Sequence, residues 1–278
     1  MSDAAAARER FAALVTGELS QRELAEAALW IAAEEYPGLD VPAYLELLDR
    51  LAARAATPVL AQRGQREQVE RLNLFLFEEQ GFRGNQREFE DPRNSFLNEV
   101  LDRRLGIPIT LSLVYVEVAR RIGLEAYGIS FPGHFLAKVV GERDIVVDAF
   151  FGRVLSLEEC EERLLAQDPG SGRLDPAQHL RRARPREILV RMLANLKRIA
   201  ARSGDPERIL SCIDRILLVA PEQQSELRDR ALLYERLGWN SAALADWRHL
   251  EGLVSDGESL QALRERIRAL EARAGRPH

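Results

Sequence analysis

The chain has 278 residues, 46% apolar and 30% charged, with a formal net charge of −5. That length suits two domains, or one domain with an appended module, and the composition can fill a buried core. No run of about 18 uncharged apolar residues occurs, so a membrane span is not expected, and the acidic balance gives no general pull toward nucleic acid or anionic lipid.

The N-terminal MSDAAAARERFAALV lacks a basic start followed by an apolar stretch and a cleavage site, so export is not expected. Residues 5–70 read as helices. Leu24, Ala27, Ala28 and Ile31 recur at helical spacing, and Pro37-Gly38 stops that run. Asp40 is placed to cap the next helix, whose Leu45, Leu48 and Leu51 share one face. REQVERLNLFLFEEQGF is a third helix closing at Gly81, and the polar stretch 83–94 reads as a loop. SFLNEVLDRRLG is a short amphipathic helix ending at Gly106. IPITLSLVYVEVARRIG follows as a core helix, with Pro108 suited to its first turn and Gly123 to its end.

The pattern then changes. LEAYGISFPGHFLAKVV and DIVVDAFFGRVLS are β-branched and aromatic, and Gly141-Glu142-Arg143 between them reads as a hairpin turn. Ser156 and Glu159 form a capping box that starts a short helix carrying Cys160. AQDPGSGRLDPAQ, rich in Gly, Pro and Asp, marks a domain boundary. The organisation expected is a first domain over 1–166, a linker over 167–186 and a helical module over 187–278. Arg181, Arg182, Arg184 and Arg186 cluster near the end of that linker without interleaved aromatics, as in a solvated linker or helix start and not a nucleic-acid surface. In the helical module Gly204 and Gly238 are 34 residues apart, the period of tetratricopeptide repeats. Ile209 and Ala243 stand five residues after them, where paired helices pack, and Pro221 closes the first repeat. Such repeats bury a shared core and leave a face for peptides or partner proteins.

His134 sits where a buried strand has little use for a histidine. His134 and Asp148 each lie seven residues from Gly141, so a hairpin turning there sets them side by side on one face. A slip of one residue would separate them. A carboxylate beside an imidazole fixes its tautomer and supports its cation, as a general base needs; a self-satisfied buried pair is the alternative.

RRIGLEAYGI, then GHF, then VVDAF resembles the transglutaminase-like superfamily, which uses a Cys-His-Asp triad related to that of papain-type proteases. NSFLNEVLDRRLGIPITLSLVYVEVARRIGL, then FPGHFL, then the repeats, resembles its SirB-type branch. The resemblance implies an α+β fold: N-terminal helices and a transglutaminase-like core with a small antiparallel sheet, then all-α tetratricopeptide-type repeats. In catalytic members a Gly-x-Cys begins the core helix. Gly106-Ile107-Pro108 stands in that place, so the nucleophile position holds Pro108. A cysteine there gains thiolate character from the helix dipole and unpaired N–H groups; proline keeps the geometry without the reactive atom.

Substitutes are few. Ser112 lies near the same helix face but about 6 Å further along the axis. Thr110 is turned away, Cys160 is not aimed at His134 by anything in the sequence, and Cys212 lies in a repeat helix. Asn98 is a candidate cleft hydrogen-bonder, with a buried turn contact as the alternative. Trp239 follows a turn glycine, where it can meet a partner or pack. No metal is expected, since His179, His249 and His278 fall in other segments and one Asp is a thin shell for zinc; no cofactor is expected either. Two cysteines without a paired framework fit a reduced, cytoplasmic compartment. The expected function is a non-catalytic protein that binds a protein or peptide through its repeats or degenerate cleft. The alternative is a hydrolase or acyltransferase in which His134 and Asp148 serve a relocated nucleophile or water.

Overall fold

The computed structural model describes residues 3–167, 170, 173 and 175–274. Contacts divide the chain into two units, Met1–Met192 and Leu193–His278, and the division falls inside a helix. Residues 168, 169, 171, 172 and 174 of the linker read from sequence, and His278, lie outside the described residues.

The first unit opens with α1 (Asp3–Thr16), α2 (Leu24–Ala33), α3 (Val41–Leu60) and α4 (Gln65–Asn73). Asp40 caps α3 as expected, accepting from the Ala43 N–H at 3.1 Å. A π-helical segment, Leu74–Glu79, prolongs α4, and Gly81 ends it with φ +74°. The stretch read as a loop contains a two-residue strand, β1 (Arg83–Gly84), paired in parallel with β2 (Leu105–Gly106). Between them α5 (Leu97–Arg103) stops three residues before the expected glycine, with Arg104 itself left-handed at φ 60°. Gly106 serves another purpose, because a Cβ there would meet the Thr110 hydroxyl at 2.8 Å and Val100 at 3.2 Å.

The core helix α6 (Pro108–Arg121) is buried from Pro108 to Ala119, and Gly123 ends it with φ +90°. A four-stranded antiparallel meander follows: β3 (Ala126–Ile129), β4 (Leu136–Val139), β5 (Ile145–Asp148) and β6 (Arg153–Leu155). Each of the two strand segments expected from sequence is thus broken in two, with Gly133 (φ +67°) and Gly152 (φ +70°) in the breaks. The hairpin turns about Glu142 and not Gly141: Lys138 faces Val146, each four residues from Glu142. Moving the centre by one residue shifts each cross-strand partner by two, and side chains alternate with period two, so His134 and Asp148 stay on the same side.

Leu136, Val146 and Leu155 point to the face covered by Cys160 and Leu164 of α7 (Leu157–Gln167). Gly128 and the Phe135 ring, on the other face, meet Ser112, Leu113 and Val116 of α6. The capping box of α7 forms, with the Glu159 N–H donating to Ser156 Oγ and the Ser156 N–H to Glu159. After α8 (Pro176–His179), α9 (Pro185–Ser203) begins within the arginine cluster, with Arg186 in its first turn.

The second unit holds the end of α9, then α10 (Pro206–Val219), α11 (Gln224–Arg236), α12 (Asn240–Leu253) and α13 (Gly257–Ala274). Gly204 and Gly238 adopt φ +68° and +76° between successive helices. Ala243 is fully buried among Trp247, Leu250 and Leu263, and the bulkier Ile209 is only partly covered, against Ile213 and Leu217. Arg230 of α11 ties its neighbours together, meeting Asp246 of α12 through two bonds and Asp214 of α10 at 2.7 Å.

Candidate functional site

His134 lies two residues before β4, in a turn held by Arg191 of α9. The Arg191 guanidinium donates to the His134 carbonyl at 2.6 Å, to the Phe131 carbonyl at 3.2 Å and to Ser130 Oγ at 2.8 Å. Its charge also stands over the Phe135 ring, 5.5 Å from the centroid. This half-turn therefore has a fixed shape although it belongs to no strand.

The imidazole Nε2 is 3.0 Å from Asp148 Oδ1. Asp148 ends β5 and is fully buried, and the same oxygen accepts the backbone N–H groups of Phe150 at 3.0 Å and Phe151 at 3.3 Å. With Nε2 donating to the carboxylate, Nδ1 of the neutral ring is the lone-pair nitrogen, the atom able to accept a proton. His134 keeps 17% of its side chain exposed.

A third member was not visible in the sequence. Arg163 of α7 places Nη1 2.6 Å from Asp148 Oδ2, an ion pair whose angles fall outside hydrogen-bond geometry. Burial alone would raise the Asp148 acid, but the His134 bond and charge, with the Arg163 charge, outweigh it and hold the carboxyl below its usual range. Asp148 is thus shared between the His134 imidazole and the Arg163 guanidinium. No spacing rule announces Arg163: it lies one helical turn after Cys160 and reaches the site only because α7 covers this face of the sheet. Arg191 was equally silent.

An aromatic shell surrounds the imidazole. Phe151, half exposed, stacks against it at 6.4 Å, and Phe150 meets it edge-on at 6.2 Å. The Phe150 ring also lies against Gly84, where a Cβ would come within 2.5 Å of it, and the Gly84 N–H donates to the Phe150 carbonyl at 3.1 Å. Gly84 is in register with Gly106, two residues before Pro108. The connection from His134 to the start of α6 therefore runs through Phe150 and the β1–β2 ribbon.

The remaining sequence candidates are placed as follows. Pro108 is the buried first residue of α6, after the N-cap Ile107. Ser112 is fully buried and donates to the Phe135 carbonyl at 3.4 Å. The Gln21 amide lines the same small space, buried and without a hydrogen-bond partner among the described residues. Asn98 is buried, and its Oδ1 has no hydrogen-bond partner among the described residues. Cys160 packs among Ile129, Phe131 and Leu164, and burial pushes its thiol up to about 11. Trp239 is 54% exposed and leans on Tyr234. Among the described residues no group of three or more His, Cys, Asp or Glu is arranged to hold a metal ion, and no helix is long and apolar enough to cross a membrane.

The family description "Transglutaminase-like superfamily" matches residues 42–194, and "Tetratricopeptide repeat" matches residues 196–268. A UPF0162 protein of Xylella fastidiosa is 42% identical over 80% of this chain and 81% of its own length. A UPF0162 protein of Pseudomonas aeruginosa is 35% identical over 77% of this chain and 78% of its own. The SirB1 protein of Salmonella typhimurium is 26% identical over 78% of this chain and 81% of its own. No solved structure gives a significant match.

Proposed function

The chain belongs to the transglutaminase-like superfamily, in its SirB-type branch with tetratricopeptide repeats, and from that premise we propose that it is a non-catalytic, regulatory member that binds a protein or peptide. One observation carries the reading: the first turn of α6, where the family places its nucleophile, holds Pro108, a residue with no atom to attack a carbonyl. Ser112 spends its hydroxyl on a carbonyl inside the fold, and a buried thiol with a pKa of about 11 is thiolate at neutral pH in roughly one molecule in ten thousand.

What survives suits recognition. His134 offers Nδ1 to a ligand, with exposed Phe151 beside it to stack on an apolar or planar group. In the repeat unit, a groove of about 680 Å³ runs between α11, α12 and α13. Leu250, Val254 and Leu263 form its apolar part, with Arg228 and Ser259 among its polar groups. These are the features that anchor a peptide through side chains and orient it through polar contacts. We place the protein in the cytoplasm, a location supported by two buried cysteines that form no disulfide; the acidic net charge argues against a nucleic-acid partner.

The test replaces Phe151 and, separately, Trp239 with a photo-crosslinking amino acid in living cells, and identifies what is captured. The expected result is a discrete protein adduct, lost from the Phe151 position in His134→Ala. Serine- and thiol-directed activity probes are expected to leave the folded protein unlabelled. Labelling that disappears in His134→Ala would overturn the reading in favour of a hydrolase or acyltransferase.

A further inference from the structure

The loop from β1 to Glu88 builds a cleft that the His134 site does not use. It encloses about 690 Å³ and is lined by Arg83, Gly84, Asn85, Gln86, Arg87, Glu88 and Leu105. Arg83 and Arg87 are both exposed, and among the described residues neither forms an ion pair. Other arginines nearby are committed: Arg93 and Arg103 both bind Asp91, and Arg71 binds Glu79.

The backbone presenting these two cations is fixed. Arg83 and Gly84 pair with Leu105 and Gly106, and the Asn85 N–H donates to the Gly106 carbonyl at 3.0 Å. The buried Asn85 side chain donates to Asn94 Oδ1 at 3.1 Å and accepts the Glu88 N–H at 3.1 Å. Gly84 lies flat against Phe150, which allows no side chain there. A loop held this firmly keeps the two exposed arginines on the lining of one cleft, where an anion between them would offset their like charges. Glu88 is the opposing charge on the rim and offsets one of the two.

We infer that this cleft is a binding site for a small oxyanion, a carboxylate or a phosphate group, held between the Arg83 and Arg87 guanidinium groups. Planar guanidinium forks match both oxyanions, and the fixed loop removes the backbone share of the ordering cost, leaving only the two side chains to be ordered on binding. The site stands without the partner reading above, since neither His134 nor the repeats enter it. Phe150 lies between the two sites, with its ring on Gly84 and its edge to the imidazole, so an anion bound here would be one ring away from His134.

The test is an amide NMR titration of the whole chain with inorganic phosphate and, separately, acetate, at ionic strength matched with sodium chloride. Saturable shifts are expected at Gly84, Asn85 and Arg87 with at least one anion, and the anion that saturates identifies the ligand class. Arg83→Gln and Arg87→Gln should each weaken binding about two- to fivefold, and the double variant should lose it. Glu88→Gln should tighten binding by a similar factor. Amide spectra outside the loop report whether each variant keeps its fold. Shifts that fail to saturate with either anion, or that persist in the folded double variant, overturn the site.

Discussion

Asp148→Asn removes the charge from a buried carboxylate that accepts from three donors and pairs with Arg163, and the structure sets how much that should cost. The amide oxygen can still accept from the Phe150 and Phe151 N–H groups and from His134, replacing bonds of 3.0, 3.3 and 3.0 Å. The other oxygen becomes an NH₂ group 2.6 Å from Arg163 Nη1, so a donor is pressed against a cation. A single neutral hydrogen bond is worth about 1 kcal/mol net, whereas breaking a buried ion pair costs about 3–5 kcal/mol. Arg163 keeps 25% of its side chain exposed and can partly re-solvate, so about 2–3 kcal/mol is expected. In a unit of this size that corresponds to roughly 4–12 °C in Tm. Calorimetry is the suitable assay, because two units can melt separately and a single fitted transition would mix them. Removing the cation as well, in Arg163→Met/Asp148→Asn, should recover at least about 1 kcal/mol relative to additivity. The pH dependence follows from the depressed Asp148 acid. The stabilisation is fully present above the unfolded-state value, near 4, and is lost as pH falls through the lower folded value. The gap between wild type and Asp148→Asn should therefore be constant at neutral pH and close in acid. A shift below about 2 °C at pH 7, or no coupling with Arg163, would refute the idea that the carboxylate is shared.

Gly84→Ala should displace Phe150 and cost about 1–3 kcal/mol, with changed ring-current shifts at the His134 ring protons as the check. Arg191→Met should leave the sheet folded but speed amide exchange across 130–135 in hydrogen-exchange mass spectrometry, because three bonds to that turn disappear. Both cysteines should resist a thiol reagent in the native state and react only on unfolding; rapid native labelling of Cys160 would contradict its burial and its thiol near 11. In the repeat unit, Arg230→Met leaves the buried Asp246 without its bidentate partner and should cost about 3 kcal/mol, read from that unit's own melting transition.

Much of this molecule is determined by local rules. The cap at Asp40, the capping box at Ser156 and Glu159, proline at the start of α6 and glycine after its end each depend on residues within one turn of each other. The repeat period is likewise a property of the chain alone. The strands were legible as apolar and aromatic stretches but not as four elements: in both breaks a short turn lies inside an otherwise strand-like sequence. The hairpin centre was displaced by one residue and each cross-strand partner therefore by two, and the pairing of His134 with Asp148 tolerated this because strand faces repeat every second residue. Arg163, Arg191 and the Phe150–Gly84 contact could not be read in advance. They join segments that approach only once α7 covers one face of the sheet, α9 reaches the turn before β4, and the β1–β2 ribbon meets the end of β5. Sequence alone decided which groups this fold would carry and where its helices would start and stop, since those follow from nearest neighbours and periodicity. Which charges share the Asp148 carboxylate, and which ring stands between His134 and the first turn of α6, were decided by tertiary packing, because long-range contacts obey the geometry of the whole unit and leave no local pattern.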